Sequence, residues 1–176
     1  MQLHADLWNE CADAWTARFD AITDEHWQSA TTCEGWDVRA LVDHMVQTQA
    51  NFAGPLVGAE IAEGAAWPEV RAAISDALGD GSVLEGTTEM PAMGEVPKAM
   101  IFGIATSDML IHTWDLARTI GADETLPAAA VTAAHEGLKR FPPQAMRAEG
   151  RFGPAVESAA DADAQTQMLN FAGRTV

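Results

Sequence analysis

The stretch "SDMLIHTWDLARTIG", residues 107–121, sets one histidine and two aspartates inside the longest apolar run of the chain. Asp108 and His112 are four residues apart, and Asp115 lies three further on. On a helix the three fall in one strip about 60 degrees wide, because each residue advances the wheel by about 100 degrees. An ionised carboxylate is costly to bury alone, so it neutralises or finds a partner. Two chemistries meet that need. Carboxylate and imidazole at this spacing can hydrogen-bond each other. They can also both ligate one cation, since i, i+4 brings two ligand atoms within reach of a single metal.

A third donor bears on that choice. His44, within "RALVDHMVQ", falls at the rim of an apolar helical face, beside Thr48 and Asn51. A rim between helices is where a bundle can open a pocket. Two histidines and one carboxylate would leave coordination positions open, in the style of a catalytic site. Water, a thiolate or an enolic oxygen could fill them. A divalent ion there would lower the pKa of a bound water or thiol and polarise a carbonyl. Zinc suits the donors best, and nickel and iron(II) also fit. His4 and His26 fall near chain ends or loops, and His135 has no acidic partner at ligand spacing apart from its neighbour Glu136; all three read as ordinary surface or interhelical histidines.

These residues must be positioned by helices. Leu3, Leu7, Cys11 and Ala14 give one face of a first helix over roughly 2–20. "ITDEHWQSATTCEGW" reads as an irregular connection. Asp37 caps a second helix over roughly 38–57, with Val38, Leu41, Val42, Met45, Val46, Phe52 and Leu56 inward. "WPEVRAAISDALGDG" predicts a shorter helix, with Pro68 in its first turn and Gly79 at its end. Residues 80–96 read as a loop. Pro97 opens a helix that is apolar nearly all round and therefore buried; it runs to Ile120 and stops at Gly121. "LPAAAVTAAHEGLKRF" predicts another helix, ended by Pro142 and Pro143. A short extended piece at 151–157 and a last helix around 161–172 follow. Strand signals are nearly absent, so the fold class is all-α: a bundle of four main helices with smaller pieces, in one domain over 1–176.

The net charge of -16, with Lys98 and Lys139 as the only lysines, argues against binding nucleic acid or an anionic membrane surface. Cys11 and Cys33 make neither a disulfide framework nor a CxxC pair and read as buried free thiols. No signal peptide and no apolar stretch of membrane-spanning length is visible, which predicts a cytoplasmic protein. There is no phosphate loop, nucleophile elbow or dinucleotide fingerprint.

"TTCEGWDVRALVDHM" followed by "ATSDMLIHTWDLARTIG" and a terminal "NFAGR" resembles the metal-binding domain of mycothiol-dependent maleylpyruvate isomerases. That domain sits within the DinB-like (YfiT-like) superfamily, and the likeness is to a single-domain actinobacterial metal-binding subgroup. The resemblance implies an up-down-down-up four-helix bundle. It implies a divalent metal held by His44, Asp108 and His112, with Asp108 where the isomerase pattern often has glutamate. Asp115 is then expected to orient a ligand or tie its helix to Arg118 or Arg39. Trp36, Trp114 and Thr48 are expected as packing or pocket walls. The isomerases carry a further C-terminal domain, whereas this chain reads as the bundle alone. What the resemblance implies is thus a metal-dependent S-transferase or isomerase-like activity joining mycothiol, as co-substrate, to a small electrophile. A metal-containing binding or sensing module is the alternative. The expected partners are the small thiol and electrophile, with room left for a homodimer. No catalytic residue beyond the metal donors is assigned.

Overall fold

The computed structural model describes residues 2–90, 93–140, 147 and 152–176, with side chains from position 4 onward. α1 (Gln2–Phe19) presents Trp8, Cys11, Ala12 and Trp15 on one stripe, all sealed from solvent. α2 (Val38–Thr48) begins at Asp37, whose carboxylate accepts the Ala40 N–H at 2.8 Å. The chain then widens into a π-helical turn, Gln49–Ala53, and continues as the short α3 (Gly54–Val57). The expected 38–57 helix is therefore one path interrupted by a π turn.

That turn buries Gln49 completely. Its Oε1 accepts the Trp8 indole N–H at 2.9 Å, and its Nε2 donates to the Ala105 carbonyl at 3.1 Å. A buried amide satisfied at both ends links three helices where an unsatisfied one would destabilise them.

α4 (Trp67–Leu78) carries Pro68 in its first turn, as its sequence predicts. Trp67 meets Trp15 edge-to-face at 6.2 Å and donates its N–H to Thr16. Within the expected 80–96 loop, β1 (Thr87–Met90) pairs antiparallel with β2 (Gly94–Pro97). Only Val96 of the eight strand residues is buried, so no alternating pattern announces the hairpin. A lone hairpin is marginal in water; this one leans on Val96 in the core and on the Lys98 N–H bond to the Gly86 carbonyl.

α5 (Lys98–Ile120) is the axis of the fold and ends at Gly121 in the left-handed conformation. It packs along α1 and touches α2 and α6 (Ala128–Leu138). α7 (Ala164–Phe171) lies on α6, its first turn capped by Asp163. Residues 152–157 form no strand, but the Val156 N–H donates to the Asn170 carbonyl. Pro142 and Pro143, expected to stop α6, lie outside the described residues, as does position 151 of the expected extended piece. Four tryptophans, Trp8, Trp15, Trp67 and Trp114, anchor the core. Burying such a large apolar side chain is worth roughly 1.5–3 kcal/mol, offset at Trp15 and Trp114 by an indole N–H buried without a partner. Among the described residues no helix is long and apolar enough to cross a membrane.

Candidate metal centre

The wheel prediction holds on α5: Asp108, His112 and Asp115 form one strip, and it faces α2 and the 30–37 loop. His44 reaches across from α2. Its Nε2 is 3.1 Å from Asp108 Oδ2, while Asp108 Oδ1 is 3.5 Å from His112 Nε2. The two imidazoles sit edge-to-face at 4.9 Å. The carboxylate thus stands between two ring nitrogens, one oxygen toward each. The His44 and Asp108 side chains remain 33% and 24% exposed, so the cluster opens to solvent on that side.

The far nitrogen of His112 faces the interior. His112 Nδ1 lies 2.8 Å from Asp115 Oδ2, and Asp115 is wholly buried. Asp115 in turn accepts from Arg174 twice, Nε to Oδ1 at 3.0 Å and Nη2 to Oδ2 at 2.6 Å. Thr32 Oγ1 donates to Oδ1 at 2.5 Å, and the Cys33 thiol to Oδ2 at 3.4 Å. Asp115 is acceptor-only when ionised, so His112 Nδ1 carries the proton in that bond and Nε2 is the nitrogen left to face Asp108.

Local sequence explains how these partners arrive. Gly35, at φ +79°, lets "TTCEGWD" fold back so that the Thr31 N–H reaches the Trp36 carbonyl at 2.9 Å. That turn delivers Thr32, Cys33 and Trp36 to the cluster. Arg174 follows a Schellman end of α7: the Arg174 N–H bonds the Leu169 carbonyl and the Gly173 N–H the Asn170 carbonyl. Gly173 sits at φ +86°.

The electrostatics follow from these contacts. Burial pushes the Asp108 carboxyl up, but His112 and His44 outweigh it and hold it well below the usual range. Burial likewise opposes ionisation of Asp115, and His112 with Arg174 overcomes it, again holding the carboxyl low. Burial alone would lower His112; Asp108, Asp115 and Cys33 together keep it well above its ordinary value. Without a metal, the cluster therefore balances two carboxylates against a protonated imidazole and a guanidinium.

Several expectations change here. Asp115 ties to Arg174, not to Arg118 or Arg39. Arg118 pairs with Glu124 and covers the Trp114 ring at 4.9 Å, and Arg39 lies over Trp27 at 4.7 Å. Trp36 does border the donors, 4.8 Å from the His44 ring and 5.9 Å from His112. Thr48 Oγ1 is 3.5 Å from His44 Nε2. Trp114 is enclosed in the core. Of the two cysteines, Cys11 is buried and its thiol is pushed up to about 12, chiefly by burial; Cys33 is only half-buried, beside His112. His26 bonds Thr23 and His135 contacts Phe171, both away from the donors. Thr32, Cys33 and Arg174 were not singled out by sequence chemistry; their only signals are the "TTCEGW" and "NFAGR" motifs.

The donors fit a metal. His44, Asp108 and His112 each offer one atom, all within 4.8 Å of one another. The His44 nitrogen lies 3.1 Å from one Asp108 oxygen and the His112 nitrogen 3.5 Å from the other, so the carboxylate can reach an ion set between the two rings. His112 also has the carboxylate support on its other nitrogen that metal-bound histidines usually have. A cavity of about 450 Å³ lies elsewhere, between α1, α5 and α6, and is lined by Leu7, Cys11, Met100, Gly103, Leu110 and Ala134 among others.

Residues 8–89 match the family described as the mycothiol maleylpyruvate isomerase N-terminal domain. Over that span the chain is similar to that domain. The matched span holds Cys33, Trp36 and His44 but stops short of α5, so Asp108 and His112 rest on the geometry above. Two uncharacterized Mycobacterium tuberculosis proteins, MT0763 of strain CDC 1551 and Rv0738 of strain H37Rv, are each 27% identical over 172 residues, covering 93% of this chain and 93% of theirs. No solved structure matches the chain significantly.

Proposed function

We propose that this chain is a DinB-like metal protein, an up-down-down-up bundle that holds a divalent ion, zinc foremost, with His44, Asp108 and His112. We further propose that it joins a low-molecular-weight thiol such as mycothiol to a small electrophile, as an S-transferase or isomerase-like enzyme. One observation carries the reading. Three donors converge from two helices, and His112 is held by a buried carboxylate that faces away from the other donors. A bound divalent ion would supply Lewis acidity, lowering the pKa of a coordinated thiol or water.

The chain's own residues do the rest. Asp115 fixes the His112 ring through Nδ1, leaving Nε2 free to ligate. Asp108 draws His44 and His112 together before any ion arrives. Trp36 stacks near the His112 ring and lies tilted against the His44 ring, forming a wall beside both. The half-exposed side of His44 and Asp108 leaves room for a ligand to approach.

The test is metal analysis of the protein as purified, beside His112→Ala, followed by turnover assays with mycothiol and electrophiles across several metals. Metal present in the first protein, lost in the second, and thiol-dependent turnover support the reading. Equal metal content in both proteins overturns the donor assignment. A second reading, a metal-containing binding or sensing module, draws on the 450 Å³ cavity lying away from the donors. Metal retained without turnover, together with small-molecule binding that shifts the melting temperature, would favour it.

A further inference from the structure

His112 faces two sets of donors, one on each ring nitrogen. Beyond the set on Nε2, Cys33 Sγ, His112 Nδ1 and an Asp115 oxygen also lie within 4.8 Å of one another. Thiolate, imidazole and carboxylate are all zinc ligands, and the sulfur would favour a thiophilic ion. A cation already stands among them. Arg174 Nη2 is 2.6 Å from Asp115 Oδ2 and 3.5 Å from Cys33 Sγ.

We propose that Arg174 occupies, as a tethered cation, a second metal-binding set formed by Cys33, His112 Nδ1 and Asp115, and so confines metal to the other face of His112. A metal in that set would have to displace a guanidinium held by two bonds to a wholly buried carboxylate. The guanidinium is intramolecular and aimed by the Schellman end of α7, so it competes at high effective concentration. Metal binding there would form bonds to sulfur, nitrogen and oxygen. It would release the Cys33 thiol proton and the His112 Nδ1 proton to solvent. The ring would then keep its remaining proton on Nε2, the nitrogen that faces Asp108. The two sets therefore compete for one imidazole, and Arg174 settles which nitrogen stays available. This goes beyond the proposed function and does not require the first set to hold a metal.

The experiment uses cadmium(II) as probe and the full chain carrying His44→Ala, which disables the first set. In His44→Ala/Arg174→Ala, one equivalent of cadmium should produce the ultraviolet sulfur-to-cadmium charge-transfer band. His44→Ala alone, and His44→Ala/Arg174→Lys, should show no band at equimolar metal. Adding Cys33→Ser to the Arg174→Ala protein should abolish it. Removing the guanidinium leaves a buried carboxylate without its cation, which destabilises the fold. If the variant unfolds, cadmium should restore its helical circular dichroism, and should fail to do so once Cys33 is serine. A band in His44→Ala with Arg174 intact overturns the proposal. So does an Arg174→Ala variant that shows neither the band nor cadmium-dependent refolding. Because every protein here lacks His44, failure of the first metal set would show separately, in the metal content of the unsubstituted chain.

Discussion

Arg174 grips Asp115 with two nitrogens, Nε at 3.0 Å from Oδ1 and Nη2 at 2.6 Å from Oδ2. The carboxylate is wholly buried, and the guanidinium side chain is 12% exposed. A buried pair of this kind contributes little relative to an apolar replacement, but losing one partner strands a charge. Arg174→Ala should therefore destabilise the metal-free protein by about 3–5 kcal/mol. Arg174→Lys, which keeps the charge and loses the fork, should cost less. Urea denaturation of these, and of Arg174→Met, Asp115→Leu and Arg174→Met/Asp115→Leu, gives the comparison. If the single-substitution losses merely add in the double variant, the two residues are not coupled.

Asp115 acts on the metal donors only through His112. Asp115→Asn keeps the shape but removes the charge that anchors the Nδ1 proton. Metal affinity should fall roughly 10–100-fold, the usual effect of removing a histidine's outer partner. Chelator competition measures it. His44→Ala, which deletes a donor, should lose more. Unchanged affinity in Asp115→Asn would mean that His112 is held by packing alone.

The pH response of the metal-free protein follows from the same contacts. Asp108 and Asp115 are held below the usual carboxylate range. Their contribution is complete above about pH 4 and is lost as pH falls through their depressed values. His112 is held well above its ordinary value. Its contribution is complete below about pH 6.5 and is lost as pH rises through the folded value. Thermal melting after chelation should peak between these limits and decline on both sides. His112→Gln should flatten the alkaline decline. A melting temperature of the chelated protein that climbs steadily above neutral pH contradicts the assignment.

Much of this was legible in the sequence, and the reasons are local. Helix periodicity located α1, α4 and α5 to within a residue or two, and Asp37 marked the start of α2, but the expected 38–57 helix runs past the observed end of α2 at Thr48. The convergence of His44 with Asp108 and His112 was legible because i, i+4 spacing and a helix rim are pattern properties. Partners brought from far along the chain were not. Arg174 is 59 residues from Asp115, and Thr32 is 83. No periodicity couples such positions, and the arginines the sequence points to are Arg118, on the same helix as Asp115, and Arg39, on the helix that carries His44. The hairpin has no sequence signature, because Val96 alone of its strand residues is buried. The π turn at Gln49–Ala53 left no mark in a pattern that tolerates one extra residue per turn.

Gly173 tests whether the tail aims Arg174 or merely carries it. The residue sits at φ +86°, and a Cβ there would meet the Gly153 backbone at 2.9 Å. Gly121 is the matched control: it sits at φ +70° with nothing within 4 Å of an added Cβ. Gly121→Ala should cost about 1 kcal/mol, the conformational penalty of a left-handed alanine. Gly173→Ala bears that penalty and must also push two backbone segments apart, so it should cost clearly more. The displaced turn would withdraw the guanidinium from Asp115 and loosen His112. Metal affinity should then fall in Gly173→Ala and hold in Gly121→Ala, even where urea midpoints are matched by temperature. Equal affinity in both would show that Arg174 finds Asp115 without help from the helix end.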